Sequence, residues 1–389
     1  VRAAAFLVLI VLSMVASAPA WATPLETKAP VVLMIDATSG MALFDKESTK
    51  PIEPASMAKL MTMAVVLDAI DKGETGLTTL YPVSEHAWRT GGAPSGTATM
   101  FAAVRSNIRV IDLMRGLAVH AANDACLILA EGLSGNEAAF VERMNALAKT
   151  IGLTDSRFVN STGLPAPGQV TTARDLARLA TWLRTRHPAF YSLYRQPDFN
   201  WNKIFQKNRN PIVSQVKGGE GLVAGGTKDS GFGLVGSVVR NDRRVLIVIA
   251  GMASTEDRLA EATKLIDWGF SAFRPRPLFK RDTIVGSAKV FGGESWSVPV
   301  ATADDVYALM RTDAPEKMEA ELAYQGPLVA PIRSGQVVGE LRILRDGMAV
   351  YRAPVRAAED VAVGPVTTRA MGAVIELFEA LWYRGTHAF

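Results

Sequence analysis

The sequence predicts an α+β fold: one antiparallel sheet flanked by helices, then a small C-terminal β-rich domain and an amphipathic C-terminal helix. Three observations predict it. Strand-like runs open the chain, helical periodicity fills its middle, and strand-like runs return afterwards, an order that places one sheet under a helical layer. Asn241-Asp242 and Asp346-Gly347 each separate two apolar runs, as hairpin turns do. The 389 residues are enough for two domains.

Residues 1–22 stand apart from the rest. Arg2 gives a short positive start, and Phe6 to Val15 is an apolar run of about ten residues, the length of a secretory h-region. Ala20-Trp21-Ala22 supplies a small-x-small cleavage site, so the mature chain is expected to begin at Thr23 and to be exported, a fate compatible with a periplasm even without a disulfide. The run is too short to span a bilayer comfortably. Val31 to Asp36 and Met41 to Phe44 read as strands around Ala37-Thr38-Ser39-Gly40. Met57 to Ile70 reads as a helix closed by Lys72-Gly73. Two helical segments follow within 108–131, broken at His120-Ala121-Ala122-Asn123. Another runs from Glu137 to Ile151 and ends at Gly152. Asn160 to Gly168 is a loop, and Thr172-Ala173-Arg174-Asp175 has the pattern of a capping box for a helix through Arg184.

Gly231 to Arg240 and Val245 to Met252 then pair as strands, and Glu256 to Phe270 is a helix on the far side of their sheet. Phe273-Arg274-Pro275-Arg276-Pro277 reads as a linker into the β-rich domain, 275–362. Residues 363–389 form a tail. Within it, 367–384 carries Met371, Ile375, Phe378 and Trp382 as one apolar helical stripe, suited either to a membrane surface or to packing on the protein itself.

Composition excludes several functions. A net charge of +4 without a Lys/Arg run does not suit nucleic acid. The single cysteine, Cys126, permits no internal disulfide and reads as a core residue on an apolar helix face. His86, His120, His187 and His387 have no metal-ligand spacing, and no Gly-rich phosphate loop is present.

Ser56-Met57-Ala58-Lys59 carries the chemistry. Residues three apart lie on one helix face, so the Lys59 amine falls within reach of the Ser56 hydroxyl. Serine is a weak nucleophile until a base removes its proton, and a lysine serves as that base when burial lowers its pKa. Pro54 suits a first helical turn, which places the Ser56 N–H where an oxyanion binds.

With these features in place, the chain resembles the low-molecular-mass penicillin-binding proteins, the serine-type D-alanyl-D-alanine carboxypeptidases. The likeness rests on Glu53 to Thr62, Asn123-Asp124-Ala125, Thr162-Gly163-Leu164, Gly221-Leu222 with Gly225, Gly231 to Val235, and Asp267-Trp268-Gly269-Phe270. It implies a β-lactamase/transpeptidase-like domain over 23–274. It also implies cleavage of the terminal D-Ala of peptidoglycan stem peptides through an acyl-Ser56 intermediate, inhibition by β-lactams, and no metal or organic cofactor. The location implied is the outer face of the cytoplasmic membrane.

The family's three motifs are only partly present. Ser56 and Lys59 complete the first. The second, Ser-x-Asn, reads Ala121-Ala122-Asn123, which keeps Asn123 to bond the substrate amide or Lys59. The third, Lys-Thr-Gly, reads Val223-Ala224-Gly225, which keeps only the glycine. The resemblance puts Arg209 near the substrate carboxylate and the N–H groups of Ser56 and Gly226 in the oxyanion hole. Lys228 and Lys217 are either substitute cations or solvated loop residues. Two functions follow: a working carboxypeptidase or endopeptidase with a rearranged carboxylate site, or a degenerate relative that binds peptidoglycan or a partner. A β-lactamase fits less well, since no Glu-x-x-Leu-Asn is suitably placed.

Overall fold

The computed structural model describes residues 5–10, 25–312, 317–367 and 370. The chain divides into two units, Pro24–Ser271 and Ala272–Phe389 with Val1–Thr23.

The first unit is built on a five-stranded antiparallel sheet. Its strand order is Ala42–Lys46, Val31–Asp36, Arg243–Met252, Gly231–Arg240 and Gly219–Thr227. The last of these is an open edge. Alternation sorts the strands' side chains onto two faces. Leu33, Val235, Leu246 and Val248 join the core shared with the helices. Met34, of opposite parity, meets Gly269 on the Thr255–Ser271 helix, so that helix covers the far face. The 241–242 turn has φ of 49° and 60°, the doubly left-handed geometry that matches strand twist in a two-residue hairpin.

At the centre lies the Lys59–Asp71 helix, preceded by a 3-10 turn over Ala55–Ala58. Almost every residue of the helix is buried, because other helices surround it. Those neighbours are Val110–His120, Asn123–Ser134, Glu137–Ile151 and Ala173–Arg186. The break between the first two is made by Ala121, which is left-handed at φ 52°. Thr172 caps its helix as expected, accepting from the Asp175 N–H at 3.1 Å. The return half of the box is missing. The Asp175 carboxylate turns to the Asp155 N–H (2.9 Å) and the Ser156 hydroxyl (2.7 Å), tying the preceding loop instead.

In the second unit, Phe273–Pro277 is not a linker. Phe273–Phe279 is a strand paired antiparallel with Val306–Arg311. Pro275 and Pro277 are two apart, so both lack their N–H on the same side, a pattern tolerated on an open edge. The remaining strands form a seven-stranded sheet that includes the expected hairpin at Asp346-Gly347. Leu322, Leu341, Ile343 and Val355 contribute to its core. Part of the expected leader, Ala5–Ile10, is also a strand here, hydrogen-bonded along Met318–Gln325. An unpaired strand edge accepts such a run because it satisfies the backbone of both. No helix among the described residues is long and apolar enough to cross a membrane. The expected tail helix, 367–384, lies outside the described residues apart from Thr367 and Ala370.

One buried carboxylate ties the helical layer to the loop over the site. Asp124, fully buried in the first turn of Asn123–Ser134, accepts from the Thr99 hydroxyl (2.6 Å) and from the N–H groups of Met100 (2.9 Å) and Ala102 (3.0 Å). Asp124→Ala leaves those donors unsatisfied. It is expected to lower stability by about 3 kcal/mol in urea denaturation and to open the 97–102 loop to proteolysis.

Candidate active site

The site begins where the chain turns into the central helix. Ala55 is held left-handed at φ 45°, a conformation that costs an alanine free energy and recurs at functional sites. That kink starts the 3-10 turn and presents Ser56 half-buried at its surface. One turn on, Lys59 is fully buried, and its amine donates to Ser56 Oγ at 3.0 Å and to the Thr162 carbonyl at 2.5 Å.

The environment of Lys59 suits a base. Burial pulls its pKa down from 10.5 to about 8; the nearby Cys126 thiol opposes this and the Arg209 charge adds to it. The thiol is itself neutral, pushed up to about 12 by burial. Thus Cys126 is a core residue, as the sequence suggested, yet it forms part of the wall around the amine. A lysine at the third-motif position would repel the Lys59 charge and lower its pKa. Here Val223 holds that position, 2 % exposed and packed in the apolar core, and desolvation of Lys59 is the main cause of its lowered pKa.

The edge strand Gly219–Thr227 lies against the nucleophile. A Cβ at Gly225 would stand 2.6 Å from the Ser56 nitrogen and 2.8 Å from its Cβ, so only glycine fits. The carbonyls of Gly225 and Gly233 both lie near Arg258 Nη1, at 3.5 and 3.2 Å, and the two glycines are paired across the strands. Their polar groups therefore converge, and by alternation the next N–H, that of Gly226, points to the open edge. Gly226 has φ 147°, where a Cβ would collide with Gly231 O and Phe232 Cα, each at 2.5 Å. Gly226 is half-buried and follows directly on the glycine that meets Ser56, with no side chain of its own on the open edge.

Asn123 lies on the other wall, 3 % exposed, with its amide nitrogen 2.9 Å from Thr97 Oγ1 and its Oδ1 buried without a partner. Ala121 and Ala224 are both buried, so no hydroxyl stands at either motif position.

A cavity of about 670 Å³ opens near the edge strand, lined by Lys207, Arg209 and Arg258 with Asp198 and Glu256. Arg209 is exposed to it, yet surrounding protein still holds the guanidinium below the usual arginine range. The Arg209 N–H bonds the Val119 carbonyl (2.9 Å), which fixes its segment against the helix that ends beside Asn123. Arg258 is 7 % exposed, and its Nε has no partner. Among the described residues neither arginine lies within salt-bridge distance of a carboxylate, an arrangement suited to an anionic ligand. Ser56 and Lys59 do not line this cavity; the Arg258 bond to Gly225 is what links the two regions. Lys228 stands exposed in the turn after the edge strand and does not line the cavity. Lys217 is likewise exposed.

Sequence reasoning missed three contributors. The Thr162 carbonyl is a backbone atom and carries no residue signal. Arg258 sits in an ordinary amphipathic helix, and nothing in its spacing singles it out. Thr97 falls in a polar loop with no motif.

Buried Lys59 sets a pH dependence of stability. Below pH 8 the amine is charged in both states, and the fold bears the desolvation cost. Between pH 8 and 10.5 the folded state has released the proton while the unfolded chain retains it, so stability rises with pH through that window. Lys59→Met is expected to stabilise the protein by about 1–3 kcal/mol at pH 7, with the advantage shrinking toward pH 10. Urea denaturation of both proteins across that range measures it.

The chain is similar to known proteins over most of its length. Residues 16–254 match the family described as D-alanyl-D-alanine carboxypeptidase, and residues 273–363 match the C-terminal domain of penicillin-binding protein 5. The chain is 32% identical to the D-alanyl-D-alanine carboxypeptidase DacC of Escherichia coli over 335 residues, 85% of this chain and 84% of the relative. It is 30% identical to DacF of Bacillus subtilis over 342 residues, 86% of each. Among solved structures, penicillin-binding protein 5 of Haemophilus influenzae superposes with a TM-score of 0.74 at 30% identity, over 88% of this chain and 100% of that one. Penicillin-binding protein D2 of Listeria monocytogenes, solved with ampicillin bound, gives 0.57 at 26% identity over 64% of this chain and 100% of that one.

Proposed function

Since this chain belongs to the D-alanyl-D-alanine carboxypeptidase family, we propose that it removes the terminal D-Ala of peptidoglycan stem peptides through an ester on Ser56. The observation that carries the reading is the fully buried Lys59 amine, 3.0 Å from Ser56 Oγ with a pKa lowered to about 8. Neutral Lys59 takes the Ser56 proton as Oγ attacks the penultimate D-Ala carbonyl. The N–H groups of Ser56 and Gly226 receive the oxyanion. The tetrahedral adduct collapses, the proton passes to the departing D-Ala nitrogen, and water then cleaves the ester to regenerate Ser56. Asn123 Oδ1 accepts from a substrate amide or from Lys59. Arg209, joined by Arg258, takes the terminal carboxylate in place of the absent motif lysine. β-Lactams acylate Ser56 in competition.

The reading extends to the rest of the chain. Residues 1–22 act as an export leader, 23–271 as the peptidase domain and 272–362 as the β-rich domain. The 363–389 tail brings the enzyme to the outer surface of the cytoplasmic membrane, on the periplasmic side. The A-x-A site and the apolar stripe of 367–384 support this.

A second reading rests on the apolar residues at Ala121, Val223 and Ala224. There the chain binds peptidoglycan or a partner and turns over slowly. Losing a desolvated charge pair costs about 2–5 kcal/mol, roughly 10- to 10³-fold or more in kcat/KM.

Labelling of residues 23–389 with a fluorescent penicillin is expected to depend on Ser56 and to vanish in Ser56→Ala. Labelling only of the Ala121→Ser, Val223→Lys, Ala224→Thr protein would decide for the second reading. The acylation rate is expected to rise about tenfold from pH 7 toward a plateau above pH 8, as the Lys59 ammonium gives up its proton. A rate flat across that range would remove Lys59 as the base.

A further inference from the structure

We propose that Thr97 is a positioning residue for catalysis: a one-way hydroxyl chain through Ser95 and Thr97 sets which face of the Asn123 amide looks into the site. The inference rests on the acyl-Ser56 reading for its consequence and on hydrogen-bond directionality for its geometry.

The chain begins at a backbone carbonyl. Ser95 Oγ donates its only hydrogen to Gly92 O at 2.7 Å. Ser95 Oγ can then only accept, and it does so from the Thr97 N–H at 3.2 Å. Thr97 Oγ1 lies 2.7 Å from Ser95 Oγ, so Thr97 must be the donor of that bond. Its hydrogen is thereby used, and toward Asn123 it can only accept. Only the amide nitrogen can face it, and the Asn123 Nδ2–Thr97 Oγ1 distance is 2.9 Å. The opposite orientation would set two lone pairs against each other. Asn123 Oδ1 is therefore turned away from the loop, into a buried position where nothing among the described residues pairs with it. A buried, unpaired amide oxygen on a 3 % exposed side chain awaits an N–H donor.

This arrangement matters because the second motif is reduced to one residue. With alanine at 121, no motif hydroxyl orients or assists Asn123. The orientation comes instead from a loop that is distant in sequence and firmly placed: the Asn123 N–H bonds Ala98 O at 2.7 Å, and Asp124 holds residues 99–102. Thr97 and Ser95 are half-buried, so the chain lies at the rim of the site.

The test uses the full chain with asparagine side chains labelled with nitrogen-15. Thr97→Val keeps the shape and removes the acceptor; Thr97→Ser restores it. The proposal expects the Asn123 amide resonances to move in Thr97→Val and to return in Thr97→Ser. It also expects the rate of Ser56 acylation by fluorescent penicillin to fall roughly 3- to 10-fold in Thr97→Val, the size of one lost hydrogen bond, and to recover within about twofold in Thr97→Ser. The pH midpoint of acylation should stay unchanged in both. Equal loss in the two variants would show that the methyl group's packing matters and not the hydroxyl, and would overturn the proposal. So would unmoved Asn123 resonances in Thr97→Val. If the unmodified chain acquires no penicillin label, the acyl-Ser56 reading fails, and the resonances alone decide whether the hydroxyl chain exists.

Discussion

The site depends on an amine removed from water. Lys59 is fully buried, and the cost of holding a charge there is what lowers its pKa. Its two partners divide the task. The Thr162 carbonyl fixes the amine's position, and Ser56 Oγ receives its action. Neither bond would hold if the central helix moved, so the helix is packed on nearly every side. The Thr162 loop is anchored in turn, with Ser161 bonded to Glu137 and its carbonyl taken by Thr62. Much of the helical layer can be understood as the support of that one lowered pKa.

The same arrangement explains how the chain keeps a basic lysine after losing its neighbouring motif cation. Coulomb repulsion from a second lysine and desolvation act in the same direction on Lys59. An apolar Val223 removes the first and leaves the second in place. Recognition of a carboxylate is a different matter, because it needs a positive charge and not merely a dry wall. The structure has two candidates facing one cavity, Arg209 and Arg258, reached from a loop and from the helix on the far face of the sheet. The Ser56–Lys59 pair and the arginine-lined cavity are thus distinct regions.

The backbone contributes as much as the side chains. Gly225 lets the edge strand approach Ser56, and Gly226 takes a conformation closed to other residues. Ala55 and Ala121 accept left-handed geometry at a cost, and each stands immediately before or within a motif. These strained points lie where a helix must begin abruptly or stop short, immediately before Ser56 and two residues before Asn123.

Many elements of both units were legible in the sequence. Helical period, the Asn-Asp and Asp-Gly turns, and the Ser56/Lys59 spacing are local patterns, and local patterns report local geometry. The Pro-rich 273–277 stretch misled because proline signals a break, whereas an edge strand tolerates it when a partner bonds its other side. The capping box held at Thr172, while its return half was lost because Asp175 bonds a loop 20 residues away. By itself the sequence determined the fold class and the Ser56/Lys59 pairing on one turn, since each depends on residue type and near spacing. Tertiary structure alone decided the Lys59 pKa, the Thr162 carbonyl as its anchor, Arg258 as a cavity cation and Thr97 as the partner of Asn123. Each of these depends on burial or on contacts across tens of residues, and burial is a property of the folded surroundings that no single residue carries.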